Sequence, residues 1–223
     1  MHLGVIPDGN RRYARNHSMP KFKAYRKAKD VIADVSDHLD EFPMDVEEAT
    51  FYLLSEKNLE RDEDELETLY KLLEENMEEI AERFNQEDFR FNWASTRPDA
   101  IPEKLRERLR ELEKRFDEGE KRLNALIAYD GKRDITRAAE KLKEAGKEVT
   151  DQNLARHLEV DTDIDYVIRT GDNPTRECLS GFPIWNSSYA EYYHLKKNFP
   201  AVTPEDVRES LEHFQKLRRK KGR

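Results

Sequence analysis

Short apolar runs alternate along the chain with longer stretches in which apolar residues recur every three or four positions. The runs at 2–6, 49–54, 89–94, 122–129 and 164–169 predict strands, and the Ala-Thr-Phe-Tyr-Leu-Leu of 49–54 is apolar enough for a buried one. A helical period marks 22–39, with Val31, Ile32, Val35 and Leu39 on one stripe. It marks 63–85 as well, where Leu66, Leu69, Tyr70, Leu73, Met77 and Ile80 share a face. Further helices are predicted from Asn10, from Pro102 to about Asp117, from a capping Asp134 to about Ala145, and over 204–220 behind Pro204-Glu205-Asp206. Strand and helix alternate from end to end, with no repeat, linker or domain break. The expected fold is α/β: one domain over 1–223, with a mainly parallel central sheet flanked by helices. Such sheets bind ligands outside the carboxyl ends of their strands. Three polar clusters directly follow predicted strands: Asp8–Arg12, Ser55–Arg61 and Arg169–Ser180.

Composition narrows the class. A chain of 223 residues can bury one sizeable core. Its 40 Lys and Arg against 48 Asp and Glu leave a net charge of −8, which does not suit a general nucleic-acid binder. With 10 Phe, 9 Tyr and 2 Trp it is too aromatic for a disordered acidic chain. A single cysteine, Cys178, excludes an intrachain disulfide framework and a multi-cysteine zinc site, and no His base is near it in sequence. No apolar run reaches the roughly 18–20 residues of a membrane span, and no signal peptide opens the chain. The expectation is a soluble, cytoplasmic protein.

Charge is distributed unevenly. Residues 1–30 hold eight bases and two acids, residues 31–90 hold 21 acids and five bases, and the last ten hold six bases and no acid. The acidic block reads as solvated helix face. The basic tail either meets acidic lipid headgroups at a membrane surface or is simply solvated. The basic amino-terminal segment differs, because it flanks a turn, Pro7-Asp8-Gly9, where backbone donors are also free.

Each cluster has a plausible chemistry and a plain structural alternative. In Pro7-Asp8-Gly9-Asn10-Arg11-Arg12-Tyr13, a glycine lets backbone approach a diphosphate, and the arginines add charge and forked hydrogen bonds. One aspartate beside such an anion suits Mg²⁺ held between a carboxylate and a diphosphate. An ordinary strand-turn-helix with a capping aspartate fits the same residues. Ser55, Asn58 and Arg61, spaced by three, offer a hydroxyl, an amide and a guanidinium on one side, or merely a capped helix start. In the third cluster Arg169 and Arg176 can clamp a second diphosphate, with Ser180, Trp185 and Tyr189 following. Glu191 can complete a metal site if the fold or a second subunit brings it near.

In order, these clusters resemble the signatures of the cis-prenyltransferase family, the undecaprenyl diphosphate synthase-like enzymes, over nearly the whole chain. Asp8-Gly9-Asn10-x-Arg12-aromatic-Ala14 is similar to the first signature, and Ser55-x-x-Asn58-x-x-Arg61 with Glu65 to the second. Ala128-Tyr129-Asp130-Gly131-Lys132-Arg133-Asp134-Ile135 resembles the third. Ile168-Arg169-Thr170-Gly171 with Arg176, Ser180, Phe182, Trp185 and Tyr189-Ala190-Glu191 resembles the last.

The resemblance implies a Mg²⁺-dependent condensation of isopentenyl diphosphate with an allylic prenyl diphosphate, giving a polyprenyl diphosphate for a glycan-carrier lipid. It implies a fold with a hydrophobic tunnel for the product. Asp8 would hold Mg²⁺ and assist the leaving diphosphate, which Gly9, Asn10, Arg11 and Arg12 would cradle. Tyr13, Lys21, Tyr25 and Leu59 would complete the substrate site. Asn58 would stand near the proton lost from isopentenyl diphosphate. Arg169, Arg176 and Ser180 would bind that substrate, with Ser55 and Arg61 in support. Glu191 would be the second metal carboxylate, reaching a partner's site in a homodimer, and the greasy product would allow peripheral membrane contact.

The pattern also departs from the family. Lys21 and Tyr25 stand where an arginine and a histidine are usual, with Lys23 or Arg26 placed to compensate, and Leu59 stands where an aromatic is usual. The stretch between Arg169 and Trp185 is about three residues longer. These changes fall on substrate contacts, so a divergent prenyl transfer, with short products or another acceptor, is the alternative. A non-catalytic scaffold subunit would be expected to lack Asp8 and Asn58.

Overall fold

The computed structural model describes residues 1–172 and 178–220, with side chains to 217. Six strands form one parallel sheet in the spatial order β3-β4-β2-β1-β5-β6. They are β1 (His2–Ile6), β2 (Glu48–Ser55), β3 (Phe89–Ala94), β4 (Lys121–Tyr129), β5 (Tyr166–Thr170) and β6 (Glu191–Leu195). Every residue of β1 and β5 is buried, which is why these strands are apolar nearly throughout rather than alternating. All five strands expected from the sequence are present. The sixth, β6, was not expected. It is a half-exposed edge, and Glu-Tyr-Tyr-His-Leu shows neither an apolar run nor clean alternation.

The helices are α1 (Asn10–Asn16), α2 (Lys21–Ser36), α3 (Glu63–Gln86), α4 (Glu103–Arg115), α5 (Gly131–Glu144), α6 (Asp151–Ala155) and α7 (Pro204–Lys220). The stripe on α3 packs as its period requires: Leu69, Met77, Ile80 and Phe84 are buried. The Phe84 ring meets Phe51 of β2 and Phe89 of β3 edge-on, at centroid distances of 5.9 and 5.3 Å.

Two boundaries differ from the expectation. α2 ends at Ser36, and Leu39 is buried from a following 3₁₀ turn. α5 is capped by Asp130 rather than Asp134: the Asp130 carboxylate accepts the N–H groups of Lys132 at 3.0 Å and Arg133 at 3.2 Å. Asp134 lies inside the first turn, 1% exposed, and takes the Tyr129 hydroxyl at 2.7 Å and the Glu159 N–H at 3.2 Å. Burial pushes its carboxyl up to about 6. Two aspartates four apart both suit a helix start, and only the packing shows which one caps it.

β1 lies between β2 and β5, so strand order reverses beside it. The crevice above the carboxyl ends of β1 and β5 is a topological switch point. Ile6 pairs with Arg169 across it, so the turn after β1 meets the end of β5.

Candidate active site

Asp8 is the centre of that crevice. Its Oδ2 accepts Arg169 Nη2 at 2.7 Å and its Oδ1 accepts the Gly9 N–H at 2.6 Å. Arg169 is 2% exposed, and its Nη1 donates to the Cys178 carbonyl and, at 2.7 Å, to Ser180 Oγ. Burial alone would raise the Asp8 carboxyl. The hydrogen bonds from Arg169 and Gly9, with the charges of Arg169 and Arg12, outweigh it and hold Asp8 below its ordinary value, ionised at neutral pH. Gly9 has φ +99°, and a Cβ there would fall 2.2 Å from Asn198 Oδ1. The Nδ2 of Asn10 donates to the Pro7 carbonyl at 2.8 Å, while its buried Oδ1 has no partner among the described residues. Arg12 places Nε 2.7 Å from Asp172 Oδ1 and Nη2 3.9 Å from Asp8. Asn198 supports Asp172 through a bond of 2.8 Å.

The second cluster caps a 3₁₀ turn at Glu56–Glu60. The Ser55 N–H donates to Asn58 Oδ1 at 3.1 Å, and the Ser55 side chain accepts the Asn58 N–H. The spacing of three is thus a reciprocal cap, and it also fixes the Asn58 amide at the cleft. Arg61 Nη1 donates to the Tyr25 hydroxyl at 3.0 Å and lies 3.2 Å from Glu65. The Glu65 side chain is 4% exposed and gathers Lys21, the Tyr25 hydroxyl at 2.9 Å, Arg61, and Arg11 at 3.6 Å. Burial would raise the Glu65 carboxyl, but the bonds from Lys21 and Tyr25 and the charges of Arg61 and Arg11 hold it low. Burial pushes the Tyr25 phenol up to about 12, so it stays neutral. Lys23 and Arg26 are exposed and do not line the cleft. The expected compensation comes instead from Arg11 and Arg61, because α2 turns 23 and 26 outward.

The clusters share one cleft of about 860 Å³. Its mouth is lined by Asp8, Gly9, Asn10, Arg11, Arg12, Lys21, Tyr25, Ser55, Asn58, Arg61, Arg169 and Ser180. Its floor runs between α2 and α3 and is lined by Ile32, Leu54, Leu69, Leu73, Met77 and Ile80. Tyr70 points elsewhere, donating to the Ala100 carbonyl at 2.7 Å.

Other expected site residues stand apart. Tyr13 stacks on His17 at 4.0 Å, and Leu59 packs against the core. Arg176 lies outside the described residues. Glu191 pairs with Tyr166, which pairs with Leu3, at the amino end of the sheet. Asp8 lies five residues along from Leu3, so the two carboxylates are separated by about 16 Å of strand rise. The fold therefore does not bring Glu191 to Asp8 within one chain.

Asp172 and Asn198 belong to the site but were not singled out, since Asp172 reaches Arg12 through the pairing of β5 with β1 and Asn198 through the chain that leaves β6. Glu65 was legible as the end of the second signature, but not as the counter-ion that Lys21, Arg61 and Arg11 share. Among the described residues no group of three or more His, Cys, Asp or Glu side chains could hold a metal. The donors at the mouth still fit Mg²⁺, which takes one or two carboxylates and completes its shell with phosphate oxygens and water. Asp8 offers an ionised carboxylate, and Asn10 an unpartnered oxygen.

A cleft with diphosphate-type donors at its mouth and an apolar floor, on this sheet, defines a class, and residues 6–222 match the prenyltransferase family described as undecaprenyl diphosphate synthase. The chain belongs to that family. It is 27% identical to an isoprenyl transferase of Campylobacter jejuni, covering 100% of this chain and 98% of that one. It is 30% identical to the tritrans,polycis-undecaprenyl-diphosphate synthase (geranylgeranyl-diphosphate specific) of Methanopyrus kandleri, covering 100% and 84%. Its fold superposes on lavandulyl diphosphate synthase from Lavandula x intermedia with a TM-score of 0.87 at 21% identity, over 96% and 94% of the two chains. No described helix is long and apolar enough to cross a membrane.

Proposed function

We propose that this chain condenses isopentenyl diphosphate with an allylic prenyl diphosphate in cis configuration, with Mg²⁺, to give a longer prenyl diphosphate. The observation that carries the reading is one continuous cleft, cationic at the mouth and apolar between α2 and α3. It suits a ligand charged at one end and greasy at the other. Gly9, Asn10, Arg11 and Arg12 hold the allylic diphosphate, with Lys21 and Tyr25 beside it. Arg169 and Ser180, with Arg176, hold the isopentenyl diphosphate, and Ser55 and Arg61 support them.

In the reaction the allylic C1–O bond breaks and its electron pair leaves on the diphosphate. The double bond of the second substrate supplies the electrons of the new carbon–carbon bond, and a proton is then lost from its C2. Guanidinium donors aimed at the departing oxygens stabilise the charge that develops there. Asn58, held by Ser55, orients the substrate at the carbon that loses the proton. Glu65 is engaged by Lys21, Tyr25, Arg61 and Arg11, and Asp8 is held ionised beside Arg169 and reserved for the metal, so the proton goes to a diphosphate oxygen. Asp8 is the residue that would hold Mg²⁺, which would supply further neutralisation of the leaving group. Glu191 joins such a site only from a second copy, in a homodimer.

The test is incorporation of labelled isopentenyl diphosphate with Mg²⁺ and allylic primers of increasing length. A ladder of longer products is expected. No incorporation with any primer counts against the reading. A particle of monomer mass in light scattering that is still active removes Glu191 from the site. A second reading, transfer to a different acceptor, is favoured by the longer stretch between Arg169 and Trp185, on the isopentenyl side of the site. The same assay with a second allylic diphosphate as sole substrate separates the two.

A further inference from the structure

The outer side of α2 is basic in an acidic chain. Between Asp8 and Asp30 the sequence carries no acid. α2 turns Lys21, Tyr25, Ala28 and Ile32 into the cleft. Beside that column stand Phe22 with Arg26, and then Lys23 with Lys27, each pair four residues apart and every side chain exposed. Arg11 and Lys21 are neutralised by Glu65, and Lys29 by Asp30 and by Glu79 of α3. Among the described residues Lys23, Arg26 and Lys27 pair with no acid, and neither does Arg15 at the mouth. The acid that follows Asp30 on α2 is Asp34, twelve residues after Phe22. That is about 18 Å along the axis, beyond a screening length of about 8 Å. Phe22 is 40% exposed, one of four large apolar side chains open to solvent among the described residues and the one that stands among these cations. A merely solvated helix face would carry a polar residue there.

We propose that this face of α2, Phe22 with Lys23, Arg26 and Lys27, docks on an anionic lipid bilayer and sets the mouth of the cleft against it. A ring among free cations matches a surface that is anionic at the headgroups and apolar just beneath them. The net charge of −8 does not prevent this, because charges more than about 8 Å away are largely screened and a flat surface meets this face first. The proposal rests on the reading of the cleft as a prenyl diphosphate site. Such a ligand keeps its tail in the bilayer and its diphosphate at the headgroups, and the column carrying Phe22 adjoins the one that lines the mouth. Each base near an anionic leaflet strengthens partitioning about fivefold, so the three together account for about 100-fold. Burying the open part of the Phe22 ring adds about fivefold more.

The experiment has two arms. The first is co-sedimentation with vesicles of phosphatidylcholine alone or of equal parts phosphatidylcholine and phosphatidylglycerol, and it needs no turnover. The wild type should bind the mixed vesicles, less so as salt rises, and not the neutral ones. The triple variant Lys23→Gln, Arg26→Gln, Lys27→Gln should lose about 100-fold in partitioning and Phe22→Ala about fivefold. A chain ending at Leu217 should keep its binding; it lacks most of the basic tail, whose side chains beyond 217 lie outside the described residues. The second arm measures incorporation of isopentenyl diphosphate. With a short, water-soluble primer the triple variant should match the wild type, which shows its cleft intact. With a long primer held in mixed vesicles it should be slower by at least about tenfold. No binding of the wild type to mixed vesicles would overturn the proposal, as would equal binding by the triple variant. Loss only in the chain ending at Leu217 would assign the lipid to the tail and overturn the role of α2. Binding of polyuridylate without binding of vesicles would make the face a nucleic-acid surface and overturn it too. If no primer is extended while vesicle binding follows these variants, the proposed reaction fails and the docking face stands. If primers are extended and no vesicle binds, the reaction stands and the docking face falls.

Discussion

Replacing Glu65 by glutamine tests whether one buried carboxylate holds the cationic mouth in place. Glu65→Gln keeps the volume and one acceptor oxygen but removes the charge that Lys21, Arg61 and Arg11 share. Truncating one partner of a buried ion pair costs about 3–5 kcal/mol. Here Lys21 and Arg11 are 44% and 57% exposed, so water replaces most of their share. Arg61, 20% exposed, and the Tyr25 hydroxyl carry the rest, leaving a loss of about 2 kcal/mol. For a chain of this size the unfolding entropy makes that about 4 °C in Tm. The same substitution frees cations for a polyanion. Inorganic diphosphate should therefore raise the Tm of Glu65→Gln more than that of the wild type, by about 3 °C if binding tightens tenfold. The pH dependence has a definite sign. The Glu65 carboxyl is held below its ordinary 4.5, so its contribution is present above that value and lost as pH falls through the lowered one. The gap between wild type and variant should close in acid. Urea and thermal melts with and without diphosphate, repeated across pH, measure all of this. A loss under about 0.5 kcal/mol, within the range of ordinary surface substitutions, or equal gains from diphosphate, would refute the reasoning.

Three further outcomes are expected. Asp8→Asn should lower turnover at least about 100-fold, because the charge is lost at the leaving group, while circular dichroism stays native. Wild-type rates would remove Asp8 from the reaction. Asp8→Ala is the harsher variant, since it leaves Arg169 buried without its carboxylate. Gly9→Ala should cost more than about 1 kcal/mol and raise KM for the allylic substrate, because φ is +99° and the new Cβ meets Asn198. A native melt with unchanged KM would argue against a tight turn there. Asp134 has a raised carboxyl, about 6 against 3.8, so its contribution is full below 3.8 and lost as pH rises through 6, a span of about 3 kcal/mol. The Tm of Asp134→Asn minus that of the wild type should therefore increase from pH 4 to 7, and a difference independent of pH would count against it.

The buried strands and the long helices were legible because burial imposes a period. β1 and β5 are covered on both faces and read as apolar runs, and α3 carries its buried stripe at helical spacing. The three polar clusters were legible because a parallel sheet gathers the carboxyl ends of its strands, so a local motif after a strand is already at the site. β6 escaped because an edge strand is half solvated and keeps no clean alternation. Asp172 and Asn198 escaped because they meet Arg12 through pairing between strands distant in sequence. The separation of Glu191 from Asp8 came from register, which a list of motifs does not contain. The sequence by itself determined the buried strands, the long helices, the family and the donors of the cleft, since these depend on short-range pattern and residue type. Tertiary structure alone decided that Glu65 is the shared counter-ion and that Lys29 spans the gap to Glu79. Both depend on how α2 and α3 face each other, and that is set by long-range packing.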